Sequence, residues 1–284
     1  MEDRSMTVKI EIDTLVTMLK MAFSFENWDN MIKISTELYE SAYEMYVEQK
    51  ERNRRLQVTE RPIVYYFGYS HLMKGLAYQK KKMYQEAKQC IANYEDLSYM
   101  SDGSPANNQA VENFRFFARA NMFTLNILSG NLDCLEDYSA FIQENPSETL
   151  PGLITILEAA NIHNYDVDHI LDILVVEDSQ LIPIDQNPVD LSYYISFLYL
   201  LAVYRFKKEN HAEALDRTLQ ALTLSDKLED DKIFKKCVAL FESFRSHASQ
   251  SQLESYSSIQ KNILKGAIED EEGIVFDGSS IRTI

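Results

Sequence analysis

The densest run of metal-ligating residue types in this 284-residue chain is His163-Asn164-Tyr165-Asp166-Val167-Asp168-His169. Two histidines and two carboxylates within seven residues could hold a cation. They straddle a predicted turn, however, where Asn and Asp more commonly cap the helix that follows. His71 stands in the aromatic run Tyr65-Tyr66-Phe67-Gly68-Tyr69-Ser70-His71 and could serve a pocket, but general acid–base work needs an activated partner nearby and the sequence nominates none. No Gly-rich phosphate loop, paired metal-ligand motif or nucleophile elbow occurs. The expectation is no catalytic residue, no metal site and no cofactor.

The polar residues of greater interest lie among aromatics. Tyr65, Tyr66, Phe67 and Tyr69 open one helical segment, Phe114, Phe116 and Phe117 another, and Tyr193, Tyr194, Phe197 and Tyr199 a third. Most must pack, yet tyrosine beyond what a core requires suits a peptide-binding surface, giving large contact area and a polar tip at low entropic cost. By spacing, Tyr69, Gln79, Arg119, Asn121, Thr124, Glu158, Asn161, Ser196 and Tyr199 are the candidate ligand-facing residues. An Asn amide can bond both the N–H and the C=O of an extended peptide. Arg119 could fix a carboxylate or form an internal ion pair. The basic runs Lys80-Lys81-Lys82 and Lys50 to Arg55 read as solvated helix ends, or else as contacts for an acidic partner.

Helices must position these residues. Only eight glycines and six prolines interrupt a composition rich in helix formers. Apolar stripes at spacings of three and four recur from Ile12 to Gln260, broken by short polar turns. They predict an all-α chain of about six helical hairpins at 12–56, 62–99, 110–144, 150–176, 190–228 and 231–265, forming one domain over 1–265. An acidic tail, 266–284, is expected to be flexible, and Pro183 and Pro188 are expected to exclude helix from 177–189.

Two of the hairpins carry a repeat signature. In KGLAYQKKKMYQEAKQCIANY, Gly75, Tyr78 and Ala87 stand where a tetratricopeptide unit places its small and aromatic packing residues. In LAVYRFKKENHAEALDRTLQALTL, Ala202, Ala214 and Ala221 take corresponding places. The expected architecture is a right-handed solenoid of degenerate tetratricopeptide-type hairpins whose first helices line a concave groove.

Charge and cysteine content narrow the function further. The formal charge is −16, and residues 91–200 hold 17 acidic side chains against two arginines, so direct nucleic-acid binding is not expected. Cys90, Cys134 and Cys237 are three and far apart, which suggests neither disulfides nor zinc. With neither a signal-peptide core nor a long apolar run, the sequence reads as cytoplasmic, without a membrane partner.

The stretch RPIVYYFGYSHLMKGLAYQKKKMYQEAKQCIANYEDLSYM, followed by FFARANMFTLNILSGN and NPSETLPGLITILEAAN, resembles the tetratricopeptide-type sensor region of helix-turn-helix regulators from Bacillus and related Firmicutes, a group similar to the Rgg, PlcR and Rap peptide-responsive regulators. The resemblance spans roughly residues 13–247. It implies a sensor that binds a peptide or protein segment, with quorum sensing or transcription regulation as the setting. Residues 1–60 depart from the family pattern, since they read as one long hairpin with no recognition helix. The expected function is a regulatory or adaptor protein. The alternatives are a transcription regulator acting through a homodimer or a separate DNA-binding partner, and a structural scaffold or dimerisation module.

Overall fold

A computed structural model describes residues 11–52, 59–175, 181 and 187–269. Among them every regular element is helical, with twelve α-helices and short 3₁₀ turns. The chain divides into two compact units, Met1–Ser129 and Gly130–Ile284, where the sequence suggests one domain over 1–265. The first unit holds α1 (Ile12–Ser24), α2 (Trp28–Arg52), α3 (Ile63–Lys80), α4 (Tyr84–Ala92) and α5 (Pro105–Leu128). The second holds α6 (Leu135–Glu144), α7 (Thr149–His163), α8 (Asp168–Leu174), α9 (Pro188–Lys207), α10 (His211–Lys227), α11 (Asp231–Ser243) and α12 (Gln250–Glu269). The hairpin expected at 110–144 falls across the division, its first helix closing one unit and its second opening the other.

Several expected boundaries move for local reasons. In the hairpin expected over 62–99 the second helix stops at Ala92, and a 3₁₀ turn at Ser98–Met100 follows it. Pro105 is not a loop residue but the first residue of α5, where a missing N–H costs nothing, and the Ser104 hydroxyl accepts from the Asn107 N–H at 3.3 Å. Pro188 likewise opens α9 rather than excluding it, with Asn187 Oδ1 accepting from the Val189 N–H at 2.9 Å. Helix α12 runs through Gly266 to Glu269, so the start of the expected tail is helical. The remainder of the tail, most of the 177–189 connector and residues 53–56 of the first hairpin lie outside the described residues.

One turn recurs wherever two helices reverse tightly. Glu26, Lys82, Glu209 and Glu229 all have positive φ, between 53° and 61°. In each case the next residue's N–H reaches back five residues: Asn27 to Ala22, Met83 to Tyr78, Asn210 to Arg205 and Asp230 to Ser225, all at 2.9–3.0 Å. This is the Schellman closure, which satisfies orphan carbonyls at a helix end. In three of the four the same following residue caps the next helix, Asn27 accepting from Asn30 N–H, Asn210 from Glu213 and Asp230 from Ile233. One short sequence thus ends one helix, reverses the chain and starts another.

Reversal at every turn makes alternate helices parallel. In unit 1, α3 and α5 meet at Gly68 with Phe114 near their starts, and at Leu76 and Gln79 with Asn121 and Leu125 further along. In unit 2, the Asn161 amide of α7 donates to the Leu200 carbonyl of α9 at 3.0 Å, and Lys207 at the end of α9 reaches Asn161 and Asn164 at the end of α7. Helix α11 continues this order, with Lys236 over Tyr199 and Phe244 stacked on Phe206 at 3.9 Å.

Buried apolar side chains fill the seams. Leu15, Leu19, Met31, Leu38, Val64 and Ala77 are fully enclosed in unit 1, and Leu153, Ile195, Leu198, Leu215, Leu222 and Phe241 in unit 2. Each buried Leu, Ile or Phe contributes about 1.5–3 kcal/mol. Polar ties lock the register. The Tyr66 hydroxyl donates to Asp13 between α3 and α1. Arg205 of α9 bridges Asp168 of α8 and Glu213 of α10 at 2.6 and 3.0 Å.

Two outcomes follow from these seams. A Cβ on Gly68 would lie 2.3 Å from the buried Phe114 ring, so Gly68→Ala is expected to lower stability by about 1–3 kcal/mol despite better helix propensity, measured by urea unfolding. Glu209→Gly relieves the left-handed penalty on a side chain and is expected to raise stability by about 0.5–1 kcal/mol in the same assay.

Candidate functional site

The candidate residues in unit 1 separate into those already engaged and those left open. Gln79 and Asn121 face one another across a small cavity of about 120 Å³, walled also by Gly75, Ala87 and Tyr94. The tight wall has a cause in the sequence, because a Cβ on Gly75 would sit 3.1 Å from the Cys90 Cβ, while Ala87 is only 1% exposed. Asn121 Nδ2 donates to the buried Tyr94 hydroxyl at 2.9 Å, so this amide serves the α4–α5 seam and not a ligand. The Gln79 side chain makes no hydrogen bond among the described residues, and Tyr78 beside it is half-buried.

Tyr69 is half-buried and stacks on Tyr65, with centroids 5.3 Å apart and planes at 11°. Burial pushes its phenol up to about 12, which keeps it neutral and able to donate. His71 packs on Tyr39 at 5.0 Å, and burial pulls its imidazole down to about 4. It is a neutral packing histidine at ordinary pH, with no activated partner beside it.

Outside the α4–α5 seam lies a cleft of about 470 Å³. Ile91, Ala118, Met122 and Phe123 form its apolar floor, and Asp96, Arg115 and Arg119 stand among its charged lining. Arg115 is clamped by Glu112 at 2.6 Å and Asp96 at 3.2 Å. Thr124, on the same helix, is half-buried and does not line this cleft. Such a cleft suits an apolar side chain entering beneath a charged rim.

In unit 2 the parallel helices α7, α9 and α11 carry a second polar set. Asn161 donates to Leu200 and its carbonyl accepts from Lys207, so it fastens α7 to α9. One turn earlier on their helices than the Asn161–Leu200 bond stand Glu158 and Ser196, whose side chains make no hydrogen bond or ion pair among the described residues. Tyr199 follows Ser196 by one turn, half-buried, with a phenol raised by burial and a hydroxyl that bonds nothing described. Lys236 of α11 lies over its ring, 5.4 Å from the centroid. Tyr193, on the same helix face as Ser196, is 44% exposed. Ala202, Ala214 and Ala221 are fully buried and let α9 and α10 pack closely.

The acidic and histidine run at 163–169 is occupied by structural contacts. Asp166 Oδ1 accepts from the Asp168 N–H at 3.0 Å, the turn contact expected of it. Hydrogen bonding from Lys208 pulls the Asp166 carboxyl down to about 2. His163 stacks on Tyr165, and His169 meets Glu136 at 2.9 Å. Among the described residues no three His, Cys, Asp or Glu side chains form a metal-binding group, and the three cysteines are free thiols.

Spacing alone missed Lys236 and Tyr193. The signal was there: Lys232 and Lys236, one turn apart, open the first helix of the last hairpin, and Tyr193 precedes Ser196 by one turn. The division between engaged and open residues is testable. Asn161→Ala is expected to cost about 1–2 kcal/mol through the lost bond to Leu200, while Ser196→Ala should stay within about 0.5 kcal/mol; thermal and urea unfolding distinguish them.

Compared with known proteins, the chain matches no family model, no curated protein and no solved structure.

Proposed function

We propose that this chain is a regulatory or adaptor protein that binds a peptide or an extended protein segment, on a scaffold of degenerate tetratricopeptide-type hairpins. One observation carries the reading. On α7 and α9, Glu158, Ser196 and Tyr199 present side-chain polar groups without a partner among the described residues, while the amide nitrogen of neighbouring Asn161 is taken up by the Leu200 carbonyl. Polar atoms left open in a row beside an exposed tyrosine can bond a peptide backbone at no cost to the fold.

The scaffold supports the same reading. Four reversing turns of one kind and parallel alternate helices are what a stack of helical hairpins requires. The resemblance of residues 13–247 to peptide-responsive sensor regions agrees in ligand class, and we propose that regulation is the setting. Within the last hairpin Phe241 is fully buried and stacks on Tyr256 at 4.0 Å, which supports its place in the stack.

Intact protein titrated with a fluorescein-labelled degenerate octapeptide pool is expected to show saturable binding. Substituting Tyr193 and Tyr199 together with Ala should weaken it about tenfold or more, as for aromatic anchors elsewhere, with an unchanged circular dichroism spectrum. Absence of saturable binding to peptide, together with no partner in pull-downs, would sink the reading.

A further inference from the structure

Resting on that reading, we infer that the Lys236 ammonium of α11 and the Tyr199 hydroxyl of α9 form the end stop of the site and receive the C-terminal carboxylate of the bound peptide.

Charge selects this end. Several cations of unit 2 are already held: Arg205 by Asp168 and Glu213, Lys208 by Asp166 and Asp168, Lys207 by Asn161 and Asn164, and Arg245 by Glu242. Lys236 is set apart from the other lysines without an ion pair by the Tyr199 ring beneath it. In a chain of formal charge −16 it has no ion pair among the described residues, and it is exposed on α11 with its Nζ above an aromatic face. Attraction to the ring quadrupole holds the ammonium near Tyr199 without neutralising it.

Tyr199 adds a second donor. Its ring is half-buried, its hydroxyl has no described acceptor, and burial raises its pKa, so it keeps its proton. An ammonium and a phenol side by side suit a carboxylate, whose two oxygens accept from both; charge-assisted bonds of this kind are the strong ones. The other end of the row disfavours that occupant. Glu158 on α7 bears a carboxylate with no ion pair among the described residues, which would repel a second one. A terminal carboxylate is preferred over an acidic side chain by position, because α11 is the last of the parallel helices α7, α9 and α11 in the described unit.

The test uses intact protein and a degenerate octapeptide pool made without Asp or Glu, labelled at its amino end, in carboxylate and amide forms. Fluorescence anisotropy is expected to show the amide form binding at least tenfold more weakly. In Lys236→Gln the two forms should bind within about twofold of each other, whereas Lys235→Gln, a change at the adjacent exposed lysine, should keep the wild-type difference. Tyr199→Phe, which keeps the ring, should narrow the difference partway. Equal binding of both forms to wild-type protein would overturn the end stop and leave peptide binding standing. Binding of neither form would remove both. Retention of the difference in Lys236→Gln would place the carboxylate elsewhere and overturn the assignment.

Discussion

Everything else in this molecule depends on how its helices reverse. Five turns among the described residues, Asn164 at the end of α7 included, place a non-glycine residue in the left-handed region and return an amide N–H to a carbonyl five residues earlier. The conformation costs an ordinary side chain roughly 1–2 kcal/mol, yet it fixes the exit direction of the chain within two residues. With reversals so tight, alternate helices must run parallel, and residues a turn apart on neighbouring helices come level. The row formed by Glu158, Ser196, Tyr199 and Lys236 is a consequence of that geometry, since none of these helices is long enough to build it alone.

Close packing then decides which polar groups remain available. Where helices approach tightly, amides are drawn into the seams: Asn121 to Tyr94 and Asn161 to the Leu200 carbonyl. Small residues permit the approach. Gly68 lies under the Phe114 ring, Gly75 against Cys90, and Gly152 against Ile142 of α6. Residues pointing away from the seams keep their hydrogen-bonding capacity, and it is these that can meet a ligand.

Electrostatics sets apart the two kinds of charge in unit 2. Asp166, Asp168 and Glu213 are consumed in a network with Arg205 and Lys208 that ties α8, α9 and α10 together. The favourable Coulomb attraction there stabilises the fold. Glu158 and Lys236 stand outside that network. Lys236 is exposed and has no ion pair among the described residues, so its charge stays hydrated at little cost.

Much of the fold was legible in the sequence. Apolar stripes at spacings of three and four locate the helices, and the small residues Gly75, Ala87, Ala202, Ala214 and Ala221 mark the tight contacts, because local periodicity and side-chain volume are properties of the sequence itself. The reversing turns were harder to see, since Glu26, Lys82, Glu209 and Glu229 are poor predictors of a left-handed residue; only the Asn or Asp that follows three of them gives a cue. The division into two units was not legible either, for it depends on where long-range contacts thin out. For the site, the sequence determined which residue types were available. Only the tertiary structure decided that Asn121 and Asn161 are taken up by packing while Ser196, Tyr199 and Lys236 stay open, because whether a polar atom is satisfied depends on what another helix brings within about 3 Å of it.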